Sequence, residues 1–104
     1  MKGYAMNKAE LLKKATEAVS NRGDEYGSVE RNFQRIADRW TMHMKQHHHD
    51  SVIEFTPRDV AMMMIETKLA RLAHSPDHED SVVDIAGYAA CLAELITKEK
   101  EHKS

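Results

Sequence analysis

Residues 28–44 read Ser-Val-Glu-Arg-Asn-Phe-Gln-Arg-Ile-Ala-Asp-Arg-Trp-Thr-Met-His-Met, and Val29, Phe33, Ile36, Ala37, Trp40 and Met44 recur at spacings of four, three, one, three and four. A helix with about 3.6 residues per turn gathers these side chains into one stripe and turns Arg31, Arg35, Asp38 and Arg39 away from it. A strand would scatter them over both faces. The stretch therefore predicts an amphipathic α-helix whose apolar face needs other helices to cover it.

Helical signals continue in both directions. Upstream, Asn7 suits an N-cap with Glu10 three residues on, and Leu11, Leu12, Ala15, Ala18 and Val19 mark a face of a helix expected to run to about Asn21, with Gly23 ending it. Downstream, His47-His48-His49-Asp50 breaks the period, so residues 46–55 predict a polar connection of about ten residues. Thr56-Pro57-Arg58-Asp59 restarts helix, with Thr56 as N-cap, Pro57 at the first helical position and Asp59 in the positive first turn. The third helix, Val60 to Ala73, is apolar nearly all round its first half, Met62, Met63, Met64 and Ile65 included, and is expected to be the most buried. Ser75-Pro76-Asp77 predicts a turn, and a fourth helix from Asp77 or Asp80 to Lys98 follows through Val82, Val83, Ile85, Ala86, Ala89, Leu92, Ala93 and Ile96. Only four Gly and two Pro punctuate the chain. The expected fold is all-α, a four-helix, bundle-like single domain over residues 7–98, with a flexible extension at 1–6 and a charged, fraying tail at 99–104.

A chain of 104 residues has room for one thin core, and the apolar surplus on the third and fourth helices predicts a homo-oligomer. Fifteen Lys and Arg against seventeen Asp and Glu leave no one-signed field of the kind that drives non-specific binding to DNA or membranes. Direct nucleic-acid or membrane partners are accordingly not expected. One cysteine, Cys91, cannot form an internal disulfide and suits a reducing cytosol. No 18-residue apolar run and no signal-like start are present, so the expectation is a soluble, intracellular protein.

Charges placed where burial is expected point to chemistry. Lys68 and Arg71 project from one side of the third helix, and Asp80, Asp84 and Tyr88, four apart, stack on one stripe of the fourth. Gly87 thins that helix for close approach of a backbone or ligand. Asp84, between Val83 and Ile85, demands a cation. Lys68 or Arg71 satisfies it by pairing directly with Asp80 or Asp84 as interhelix glue. Alternatively, Asp80 and Asp84 hold Mg²⁺ through oxygen ligands while Lys68 and Arg71 face phosphate oxygens. Arg22-Gly23-Asp24-Glu25-Tyr26-Gly27, read as a turn, adds Arg22 and Tyr26 as candidate phosphate and base contacts, with Asn32 as a polar reader one turn inside the second helix.

These same residues carry a resemblance. Arg22-Gly23-x-x-Tyr26-Gly27, Asn32-Phe33-x-x-Ile36-Ala37-x-x-Trp40, Asp59-Val60-Ala61, Lys68-x-Ala70-Arg71-Leu72 and Asp80-Ser81-x-x-Asp84-Ile85-Ala86-Gly87-Tyr88-Ala89 resemble a family of small bacteriophage and prophage proteins over about residues 10–95. More distantly the chain resembles the MazG-like all-α NTP pyrophosphohydrolases. That resemblance implies an oligomeric helical protein of the host-cell cytoplasm that binds Mg²⁺ on Asp80 and Asp84. The preceding helix departs from that superfamily's pattern, offering only Glu66 beside Lys68 and Arg71.

Other features carry less. His43 and His47 have the spacing of ligands on adjacent helical turns, but no cysteine accompanies them and the histidine run falls in the expected loop. His74 and His78 flank Pro76 and read as exposed turn residues, Cys91 as a small buried side chain, and Trp40 as a core anchor. No nucleophile–base pattern or Walker loop occurs. The leading expectation is a protein that binds a nucleotide or other small phosphorylated ligand, with pyrophosphohydrolysis as its enzymatic form. The rival is a non-enzymatic helical protein that modulates a host or phage partner.

Overall fold

Four helices form, α1 (Lys8–Tyr26), α2 (Val29–His47), α3 (Pro57–His74) and α4 (Glu79–Lys103), in a computed structural model that describes residues 6–26 and 28–103 and the side chains of 6–20 and 28–102. Each start has a side chain that accepts an otherwise orphaned amide. The Glu10 amide donates to Asn7 Oδ1 at 2.8 Å, and the Arg31 amide to Ser28 Oγ at 3.1 Å. Thr56 and Asp59 form a reciprocal capping box ahead of α3, with Pro57 at the first position. At α4 the cap is a histidine: the Ser81 amide donates to His78 Nδ1 at 3.2 Å. That nitrogen must carry the lone pair, so Ser81 Oγ, 2.7 Å away, donates to it as well and the wholly buried Ser81 hydroxyl is satisfied.

The short turn after α3 folds α4 back along it. Arg58 meets Glu99 at 3.1 Å and Lys68 meets Asp84 at 3.1 Å, so one helix ascends as the other descends. α1 packs on α4 and α2 on α3, which makes the α3–α4 hairpin the spine of the molecule. The core lies where α2 meets that spine, with Ala37, Val60 and Ala61 fully shielded and Phe33 and Leu95 nearly so. The connection after α2 is tied down beside it. The Phe55 amide donates to Thr41 Oγ1 at 2.8 Å, and the Phe55 ring meets Trp40 edge-on at 5.7 Å.

Several expectations needed correction. α1 runs past Gly23 to Tyr26, because one interior glycine costs a helix only about 1 kcal/mol and does not by itself stop it. Arg22 and Tyr26 thus belong to the last turns of α1 rather than to a loop; their side chains, Gly27 and residues 1–5 of the expected 1–6 extension lie outside the described residues. α2 continues to His47 and α4 to Lys103, each beyond its apolar stripe, since backbone bonds propagate readily once a packed segment has nucleated the helix. α3 is not buried all round. Met62, Met63 and Leu69 are 53%, 43% and 46% exposed, because α4 and α2 cover one side of α3 and no described helix layers its far side. The radius of gyration of 16.0 Å exceeds the about 13 Å of a compact domain this size, and the 24 Å short axis holds only about two helix diameters.

Gly87 is buried against α1, yet an added Cβ would lie 3.6 Å from Val19 Cγ1, an ordinary contact and not the forced close approach expected. Gly87→Ala should therefore raise stability by about 0.5–1 kcal/mol in urea unfolding through the lost glycine entropy. His78→Ala should lower it by about 1 kcal/mol, and His78→Asn, whose amide oxygen accepts from the same Ser81 amide, should recover most of that loss.

Candidate functional site

All four helices border a cleft of about 400 Å³. Its walls are hydrocarbon from Val19 of α1, Phe33 and Ile36 of α2, Val60 and Met64 of α3, and Val83 of α4. Polar groups reach it from two stripes. Ser28, the N-cap of α2, and Asn32 stand one turn apart, and Asp84, Tyr88 and Cys91 follow at four and three residues on α4. The Tyr88 ring leans on Phe33 with centroids 6.2 Å apart and planes at 45°, which joins the two stripes at the cleft wall.

Charge enters through Asp84. Its Oδ2 is 3.1 Å from Lys68 Nζ, and the side chains are 24% and 11% exposed respectively. Two mostly desolvated charges at this distance hold each other firmly, and removing either leaves the other unsatisfied. Lys68 thus supports Asp84 from the α3 side, and the direct pairing foreseen as interhelix glue is present. Asp80 lies one turn away on the same α4 stripe, exposed, and Arg71 one turn beyond Lys68, also exposed; neither is among the described residues that line the cleft.

Of the residues singled out from sequence, Asn32, Asp84 and Tyr88 come together at the cleft, with Lys68 behind Asp84. Arg71 and Asp80 stand outside it, toward the α3–α4 turn. Among the described residues no three His, Cys, Asp or Glu side chains converge as a metal-binding group. Ser28, Met64 and Cys91 were not anticipated as lining. Cys91 extends the spacing of Asp84 and Tyr88 by one more turn, a usable signal; Ser28 and Met64 had none, since their place depends on how α2 and α3 meet α4.

No described helix is long and apolar enough to cross a membrane. No solved structure matches the chain. Among curated proteins, the Gene 55 protein of Mycobacterium phage L5 is 40% identical over 92 residues, covering 88% of this chain and 55% of the relative. The Gene 55 protein of Mycobacterium phage D29 is 31% identical over 86 residues, covering 82% of this chain and 52% of the relative. The chain thus spans about half the length of the curated relatives it matches. Residues 10–96, which contain every described residue lining the cleft, match the family model described as a domain of unknown function, DUF6378, and the chain belongs to that family.

Proposed function

We propose that the chain binds a nucleotide, base first, in the cleft between α2 and α4. The observation that carries this is the convergence of Asn32, Asp84 and Tyr88 on a cavity otherwise walled by hydrocarbon, the combination that holds a flat heteroaromatic ring and reads its edge. Phe33 and Tyr88 offer ring faces for the base, Asn32 an amide that both donates and accepts, and Asp84 an acceptor. Phosphates then lead toward the α3–α4 turn, where Arg71 is an exposed guanidinium and the Lys68 ammonium, still paired with Asp84, adds positive charge. Arg22 and Tyr26 remain candidate contacts from α1. Mg²⁺ belongs to the proposal as an ion carried in with the phosphates and held by Asp80 and Asp84 with water, since one or two carboxylates suffice for such shared sites. Under this proposal the ligand class is that of the MazG-like hydrolases and the setting is the bacterial cytoplasm. Among the described residues the donor set favours binding over turnover, because Asp80 and Asp84, the latter already paired with a lysine, fall short of a multi-carboxylate hydrolytic centre.

A second reading has its own observation. Met62, Met63 and Leu69 form an uncovered apolar side of α3, the kind of surface that a helical interaction protein presents to a host or phage partner or to a second copy. Self-association of this protein is proposed to use that side.

Thermal unfolding with nucleoside mono-, di- and triphosphates, with and without Mg²⁺, tests the first reading. A bound nucleotide stabilises by mass action, about 2.7 kcal/mol at a hundredfold excess over Kd. Asn32→Ala should remove most of that increment with little change in the unliganded protein. Asp84→Ala should also lower the unliganded baseline by about 1–3 kcal/mol by orphaning Lys68, and Lys68→Met with Asp84→Leu should restore the baseline without the ligand response. A melting temperature indifferent to every nucleotide would reject the proposal. For the second reading, sedimentation should show a species larger than the monomer that Leu69→Glu converts to monomer; an unchanged distribution removes α3 as the interface.

A further inference from the structure

We infer that His43 and His47, near the C-terminal end of α2, form a chelating pair for a divalent transition-metal ion that favours imidazole nitrogen, of the Zn²⁺, Ni²⁺ or Cu²⁺ class. Because α2 continues to His47, both residues stand on one helical face on successive turns, and their ring centroids are 4.4 Å apart with planes at 38°. Two imidazoles bound to one ion at about 2.0–2.1 Å, with cis or tetrahedral angles, have centroids about 4.5–5 Å apart. The centroid separation thus matches that of two imidazoles sharing an ion, and rotation of the exposed rings turns a nitrogen of each toward it.

The surroundings fit a cation. Both rings are exposed, so an ion reaches them without crossing packed hydrocarbon. The last carbonyls of α2 give this end of the helix a partial negative charge. The end is also held in shape: the His48 amide donates to Met44 O at 2.8 Å and the Ser51 amide to His48 O at 2.8 Å. Arg39, one turn before His43, opposes a cation and moderates the affinity. With no third protein ligand converging among the described residues, the ion keeps open positions for water or an outside donor. Neutral imidazoles, with no carboxylate in the pair, select transition metals over Mg²⁺ or Ca²⁺. The pair lies apart from the cleft, none of whose described lining residues follows Ile36 on α2.

Calorimetric titration of the full chain with Zn²⁺ tests the site against the adjacent run His47-His48-His49, which could bind metal as a flexible peptide. One ion per chain is expected. His43→Ala, a change outside that run, should weaken binding about tenfold or more, as should His47→Ala, while the double substitution His48→Ala with His49→Ala leaves affinity within about twofold. All four positions are exposed, so helix content by circular dichroism should stay that of the unchanged protein. Zn²⁺-induced shifts of the His43 and His47 imidazole resonances provide a second readout. Absence of Zn²⁺ binding, or binding insensitive to His43→Ala and lost with His48 and His49, overturns the assignment.

Discussion

The contact between the Lys68 ammonium and the Asp84 carboxylate is the constraint on which the rest of the structure depends. At 3.1 Å in the seam between α3 and α4, it is unlike the Arg58–Glu99 pair at the open end of the hairpin, whose side chains are 44% and 41% exposed. The outer pair is solvated enough to contribute little. The inner one cannot be broken from one side without stranding a charge among hydrocarbon. It therefore sets the register of the hairpin against slippage, whatever its net worth in stability. Register in turn decides which stripe of α4 looks toward α2, and so which side chains meet at the cleft.

The thinness of the molecule gives this register functional weight. With a short axis of 24 Å, the four helices are too few to enclose one another, and two kinds of apolar surface result. One is concave, between α2 and α4, and includes Asn32, Asp84 and Tyr88. The other is convex, the outer side of α3 with Met62, Met63 and Leu69. A concave surface with a few convergent polar groups suits a small ligand, and a convex apolar one suits a macromolecular partner. The two are compatible, because they lie on different faces of the spine. The relatives, nearly twice as long as the matched region, carry further sequence whose contribution to either surface is their own.

Much of the fold was legible locally. The stripe from Val29 to Met44, the Thr56-Pro57-Arg58-Asp59 restart and the Asn7 cap all express rules that act within one or two turns, and each is present as expected. The failures share a cause. Gly23 reads as a stop and the charged ends of α2 and α4 read as loop or tail, yet the helices continue, because propensity is weak beside the backbone bonds a nucleated helix gains. His78 reads as an exposed turn residue and is one, but that its ring also caps α4 depends on ring orientation, which no spacing encodes.

For the site, sequence by itself determined that a carboxylate at Asp84 needed a cation, that Lys68 and Arg71 were the candidates, and that Asp80, Asp84 and Tyr88 share one stripe; those follow from helical period and the cost of a buried charge. Tertiary structure alone decided that Lys68 and not Arg71 meets Asp84, that Asn32 joins Tyr88 across the cleft while Asp80 stays outside, and that α3 keeps one apolar side uncovered. The physical reason is that period states which side chains share a face of one helix, whereas partner, depth and exposure depend on the axial offset and rotation of one helix against another, and these are settled by packing over the whole chain.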